Sequence, residues 1–150
     1  MTPADRLALA DLVHRYAAYV DDRRFECTAA LFAETAELVV PNPPDHLEAA
    51  THHHGRAGVL AALAPLRELT RTRHEIVGEV YDAAGANTAT GRIACVAHHW
   101  TVRGTSIADA VWHLRYDDTY RRGAGGWHFA RRALTIDAIE TPPVRRVRPS

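Results

Sequence analysis

An imidazole on the inward-facing side of a strand can take up and release a proton near neutral pH, and residues 73–80 place one there. Arg73, Glu75 and Glu79 alternate with His74, Ile76 and Val80, the two-residue period of a half-buried strand. Side chains of one phase share one face, so His74 is directed toward whatever Ile76 and Val80 bury. A polar ring in such an enclosure costs free energy unless it is paired. A second imidazole follows in residues 88–102, where His99 shares the phase of Ile93, Cys95 and Ala97. That stretch is apolar on both phases, so whether His98 or His99 faces inward stays open. Asp21 and Asp22 end the first helix, where an acid is often plain solvated surface. A carboxylate meeting an imidazole would set its tautomer and favour the protonated ring.

Other polar residues fall into place around these. Asp118 shares a strand phase with Ala110, Trp112, Leu114 and Tyr116, and is either at the wet mouth of a pocket, the preferred expectation, or a second pocket carboxylate. Arg132, in phase with Ala130, Leu134 and Ile136, either pairs with that acid or snorkels outward. Tyr16 and Tyr116 are core aromatics or proton donors. His52, His53 and His54, with His46 nearby, sit in a loop expected to cover the pocket mouth, one imidazole dipping in. Consecutive residues do not readily ligate one ion with good geometry, so no metal is expected. Cys27 and Cys95 lack metal-type spacing and read as small buried thiols, which points to a cytoplasmic location.

The elements that must position these groups are legible from periodicity. Thr2-Pro3-Ala4-Asp5 reads as a helix start, and Leu9, Leu12, Val13, Tyr16 and Val20 recur at helical spacing after it. A short helix is expected over residues 25–32 and a first strand over 37–40, stopped by Pro41-Asn42-Pro43-Pro44. Residues 59–69 predict a third helix, kinked or ended by Pro65. Strands follow over 73–81, 88–102, 107–121 and 127–139, with turns between them. Helices first and consecutive antiparallel strands after make an α+β domain over residues 1–140, with a loosely held tail over 141–150. A curled antiparallel sheet closed by helices leaves a conical apolar pocket for a small molecule.

The chain has 150 residues, 18 basic and 18 acidic, and a formal net charge of zero. That balance argues against nucleic-acid or anionic-membrane partners, which need a basic surface. No stretch approaches a transmembrane length, and the N-terminus lacks a secretory pattern.

Several patterns occur in a telling order: Arg15-Tyr16-Ala17 with Asp21 and Phe25, Leu31-Phe32-Ala33, Thr72-Arg73-His74, Ala97-His98-His99, Tyr116-Asp117-Asp118-Thr119-Tyr120, and Gly126 through Arg132. Across residues 5–135 the chain resembles the SnoaL-like and scytalone dehydratase-like proteins of the nuclear transport factor 2-like superfamily. The resemblance implies a cone-shaped α+β barrel around an apolar pocket, a homodimer or higher homo-oligomer, and chemistry without cofactor or metal. By position it implies Asp21, His74 and His99 as the catalytic acid and histidines, with Tyr16 or Tyr19 as the tyrosine. Val20 stands where the dehydratase with the tightest tyrosine–aspartate pairing has its tyrosine, which argues against scytalone as the substrate. The implied activity is a dehydratase, cyclase or isomerase acting on a hydrophobic oxygenated compound, with Tyr19, Trp112, Tyr116, Asp118 and Arg132 around the substrate. Two alternatives belong to the same fold: a non-catalytic binding or structural subunit like the small partner of ring-hydroxylating dioxygenases, and an epoxide hydrolase using an Asp-Arg-Asp set. Arg115 and Asp117 have the spacing for the last, but on the outward phase.

Overall fold

In the computed structural model, which describes residues 1–149, helix α1 (Pro3–Asp21) starts on a reciprocal cap. The Asp5 amide donates to Thr2 Oγ1 at 3.1 Å, and the Thr2 amide donates to Asp5 Oδ2 at 2.8 Å. Its apolar stripe, Leu9, Leu12, Val13, Tyr16, Ala17 and Val20, is buried and carries the helix onto the sheet. Helix α2 (Phe25–Ala30) and helix α3 (Gly55–Leu63) follow, the latter giving way at Pro65 to a 3₁₀ turn over Ala64–Glu68.

Six strands make one curved, open sheet: β1 (Phe32–Asn42), β2 (His46–His54), β3 (Arg71–Gly85), β4 (Thr88–Arg103), β5 (Ser106–Gly123) and β6 (Gly126–Glu140). Their spatial order is β2-β1-β6-β5-β4-β3. The expected α+β architecture with a curved sheet is what forms; the sheet is mixed and open in detail, because β1 and β6 run parallel and β2 and β3 remain free edges. The chain leaves β1 through β2 and α3 for the far edge, and returns strand by strand until β6 lies beside β1. The expected loop over residues 46–54 is strand β2, whose inward residues Leu47, Ala49 and His53 are too mixed to show apolar alternation. Strand β1 also begins earlier than expected, at Phe32, and α2 correspondingly ends at Ala30.

A further correction concerns β3. Its register with β4 slips between Ile76 and Gly78, so Val77 is an extra residue. One inserted residue reverses every later side chain. His74 and Ile76 keep the inward phase, but Val80 points to solvent at 60% exposure and Tyr81 turns inward.

Residues 141–149 form no helix or strand, and the Pro149 carbonyl accepts from Arg71 at 3.5 Å. Among the described residues no helix is long and apolar enough to cross a membrane.

Candidate active site

The helices and the concave face of the sheet enclose a cavity of about 360 Å³. Val20, Leu38, Val40, Leu63, Leu66, Leu114 and Leu134 give it apolar walls, and Tyr16, Trp112 and Tyr116 add aromatic ones. Three imidazoles line it, those of His53, His74 and His99. No lysine, arginine, aspartate or glutamate does, among the described residues. A more open groove of about 520 Å³ lies behind Asp21, under the C-terminal segment, between Arg71, Arg73, Trp100 and Arg148. The smaller hollow is the candidate site, because it is more enclosed and holds the histidine rings.

Asp21 caps the junction between the end of α1 and β3. Its Oδ1 accepts from His74 Nδ1 at 2.7 Å, and its Oδ2 accepts from the His74 backbone amide at 2.8 Å. The carboxylate thus grips ring and backbone of one residue at once. Thr72 Oγ1 donates to the same Oδ1 at 3.0 Å and itself accepts from the Arg23 guanidinium at 2.7 Å. Arg23 reaches this position from a left-handed backbone turn, φ 60°, directly after α1. Burial pushes the Asp21 pKa up, but the His74 ring and amide and the Thr72 hydroxyl outweigh it and leave the carboxyl below its ordinary range. A carboxylate only accepts, so His74 Nδ1 must donate and the neutral ring bears its lone pair on Nε2. Only 8% of the His74 side chain is exposed.

His99, and not His98, is the histidine of β4 that lines the cavity. Its Nδ1 donates to the Ala110 carbonyl on β5 at 2.9 Å, which again leaves Nε2 as an acceptor. Burial pulls its pKa down to about 4, against the opposing pull of that carbonyl. The His74 and His99 rings meet edge to face with centroids 6.2 Å apart, and Trp112 lies 4.2 Å from His99.

Tyr16 and Tyr116 form part of the floor, in edge-on contact at 5.9 Å. Burial raises both hydroxyl pKa values, so they keep their protons at neutral pH and can donate hydrogen bonds. Under this floor lies Arg132, wholly buried, 4.0 Å from the Tyr116 ring centre and 4.3 Å from those of Tyr16 and Phe129. Its Nε and NH2 donate to Asp118 at 2.9 and 2.8 Å, while NH1 has no hydrogen-bond partner. Burial pulls the guanidinium pKa down, but Asp118 outweighs it and raises it above the ordinary value.

Asp118 is therefore not at a wet mouth, as its sequence position suggested. It is 2% exposed, because Arg132 and the Tyr120 hydroxyl, donating at 2.7 Å, cover both its oxygens. Neither Asp118 nor Arg132 lines the cavity, and Tyr19 lies outside it, its hydroxyl accepting from Arg15 and its ring under Arg24. The imidazole expected to dip in from the His52–His54 run is that of His53, which shares its strand face with Thr51. Two residues that hold Asp21 were missed by the sequence reading: Thr72 shares the phase of His74, a signal that was available, and Arg23 left no local sign.

The remaining polar clusters lie elsewhere. Arg115 Nε and Asp117 pair at 3.0 Å on the outer face. Glu37 accepts from His52 at 2.6 Å and Arg131 at 3.1 Å, on the side of β1 away from the cavity. Among the described residues, no three His, Cys, Asp or Glu converge as a metal ion would need.

A SnoaL-like domain family model matches residues 2–133. The chain is similar to a putative scytalone dehydratase from Novosphingobium aromaticivorans, with 23% identity, 97% of this chain and 93% of that one covered, and a TM-score of 0.79. It is similar to the type 3 hexachlorocyclohexane dehydrochlorinase LinA from Novosphingobium barchaimii, at 19% identity over 97% and 96% of the two chains, TM-score 0.80. ActVI-ORFA from Streptomyces coelicolor aligns at 20% identity over 88% and 96%, TM-score 0.71. No curated protein matches the chain in sequence. At these identities the solved structures speak for the fold alone, and the match over residues 2–133 shows the family: the chain belongs to the SnoaL-like domain family.

Proposed function

We propose that the protein is a cofactor-independent acid–base lyase or isomerase acting on an uncharged, hydrophobic, oxygenated small molecule. The observation that carries this reading is the Asp21–His74 pair in an apolar cavity. His74 Nε2 would take a proton from a carbon next to a carbonyl. Asp21 would hold the ring in the required tautomer and stabilise the imidazolium that forms. The Tyr16 and Tyr116 hydroxyls could donate hydrogen bonds to the oxygen of the developing enolate. Elimination of a β-hydroxyl or movement of a double bond would complete the turnover, with the substrate's own carbonyl as electron sink.

The lining argues for the substrate's charge. Among the described residues no lysine or arginine lines the cavity to hold a carboxylate or phosphate, and burying an unpaired charge is costly. A cavity of about 360 Å³ suits a compound of about one or two fused rings. A putative dehydratase and a dehydrochlorinase among the similar structures carry names of eliminations, the same class of chemistry.

The test is hydrogen–deuterium exchange at the α-carbon of 1-tetralone in D₂O, followed by proton NMR. The wild-type protein is expected to catalyse it and His74→Gln to abolish it while keeping the fold. Equal exchange by both proteins would refute the assignment.

A further inference from the structure

Dehydration needs a proton for the departing oxygen as well as a base, and neither cavity-facing histidine described so far is set up to supply it. His74 and His99 both spend their Nδ1 protons on fixed acceptors, Asp21 and the Ala110 carbonyl. Their neutral rings offer lone pairs to the cavity. Burial pushes the pKa values of both tyrosine hydroxyls further above neutrality, which weakens them as acids. A third imidazole stands apart from this pattern.

His53 pairs with Leu38 across the β1–β2 ladder and so shares its cavity face. Its neighbours His52 and His54 take the opposite face, where Glu37 holds the first at 2.6 Å and approaches the second at 3.9 Å. No hydrogen bond or ion pair engages the His53 ring among the described residues, and it is half-buried, open enough to solvent to be reprotonated. Its strand is one free edge of the sheet and that of His74 is the other. Both rings nevertheless line one cavity. The backbone of His53 is also closely seated. A Cβ on Gly58 of α3 would come within 2.9 Å of the His53 carbonyl carbon, so glycine is what lets the helix lie against it.

Resting on the proposed lyase reading, we infer that His53 is the acid of the site, giving a proton to the leaving oxygen while His74 removes one from carbon. In a β-hydroxyketone, His74 Nε2 takes the α-proton, and the C–H electron pair becomes the C=C bond. The C–O bond breaks, its electron pair stays on oxygen, and an N–H proton of the His53 imidazolium completes a water molecule. The products are the enone, water, protonated His74 and neutral His53, and a proton passed through solvent resets the pair. The substrate class follows: an uncharged cyclic β-hydroxyketone whose hydroxyl lies toward β2 and whose acidic carbon lies toward β3.

The test compares two reactions of one protein. Elimination of water from 3-hydroxy-1-tetralone, read as appearance of 1-naphthol, needs both base and acid. Exchange of the α-protons of 1-tetralone needs only the base. His53→Gln is expected to slow elimination by about a hundred-fold or more, a much larger loss than in exchange. The loss should shrink on 3-acetoxy-1-tetralone, whose acetate leaves without a proton. His74→Gln should lose all three reactions. A wild-type protein that catalyses none of them overturns the lyase reading and this inference with it. A His53→Gln variant that loses nothing, or loses all three equally, overturns the inference alone and leaves the base in place.

Discussion

Two histidine–aspartate pairs lie on opposite faces of the same sheet with the same bond length. His74 Nδ1 meets Asp21 at 2.7 Å on the concave side, and His98 Nδ1 meets Asp109 at 2.7 Å on the convex side. Both aspartates also accept a backbone amide, from His74 at 2.8 Å and from His99 at 3.2 Å. As hydrogen bonds they are near copies. They differ in what the far side of each ring meets. His74 lines an apolar cavity with His99 and Tyr116, whereas His98 stacks on Trp100 at 4.9 Å, outside that cavity and more exposed. The pairing of imidazole and carboxylate is thus a local motif that strands make readily. Chemistry requires in addition an enclosed space for a substrate beside the free nitrogen.

Separate substitutions break the comparison. Asp21→Asn is expected to lower α-proton exchange by about a hundred- to ten-thousand-fold, the usual contribution of a positioned base. Asp109→Asn should leave exchange at the wild-type rate. A loss of similar size in both would mean that the outer pair also serves turnover.

The next effect is on stability. His99 has a folded pKa of about 4 against an ordinary 6.5, so between these values the unfolded chain binds the extra proton. Its neutral ring therefore contributes fully above pH 6.5, and the contribution is lost as pH falls to about 4. That difference is worth about 3 kcal/mol. Urea titrations across this range should show the slope in wild type and a shallower one in His99→Gln.

A smaller loss tests the outer pair as structure. Asp109→Ala leaves the His98 ring without its partner and is expected to cost about 1–3 kcal/mol in chemical denaturation, with exchange intact. Stability unchanged by this substitution would leave the outer pair with no structural role either.

The comparison also shows what a sequence can and cannot disclose here. Alternation located four long strands, and phase placed Trp112, Leu114 and Tyr116 on the cavity side, where they lie. Phase could not separate His98 from His99, because small and apolar residues occupy both faces of β4. The outward residues Ala94 and Val96 look as buried as the inward ones. The bulge at Val77 was invisible, since an inserted residue is defined only by its partner strand. That misplaced Val80 while leaving His74 correct, because His74 precedes the slip. Asp118 looked like surface for a related reason: its concealment depends on Arg132, fourteen residues away on the neighbouring strand. Asp21 was assigned by family position alone. Its direction is set by Thr72 and His74, both more than fifty residues on.

The nitrogen shifts of the histidine rings test the central claim most directly. They would be recorded in the wild-type protein about two pH units above the ordinary histidine value, with and without 1-tetralone. The expected result is a His74 ring protonated on Nδ1 and bare on Nε2, with Nε2 moving on addition of the ketone and the His98 ring unmoved. A His74 ring carrying its proton on Nε2, or a response confined to His98, would contradict it.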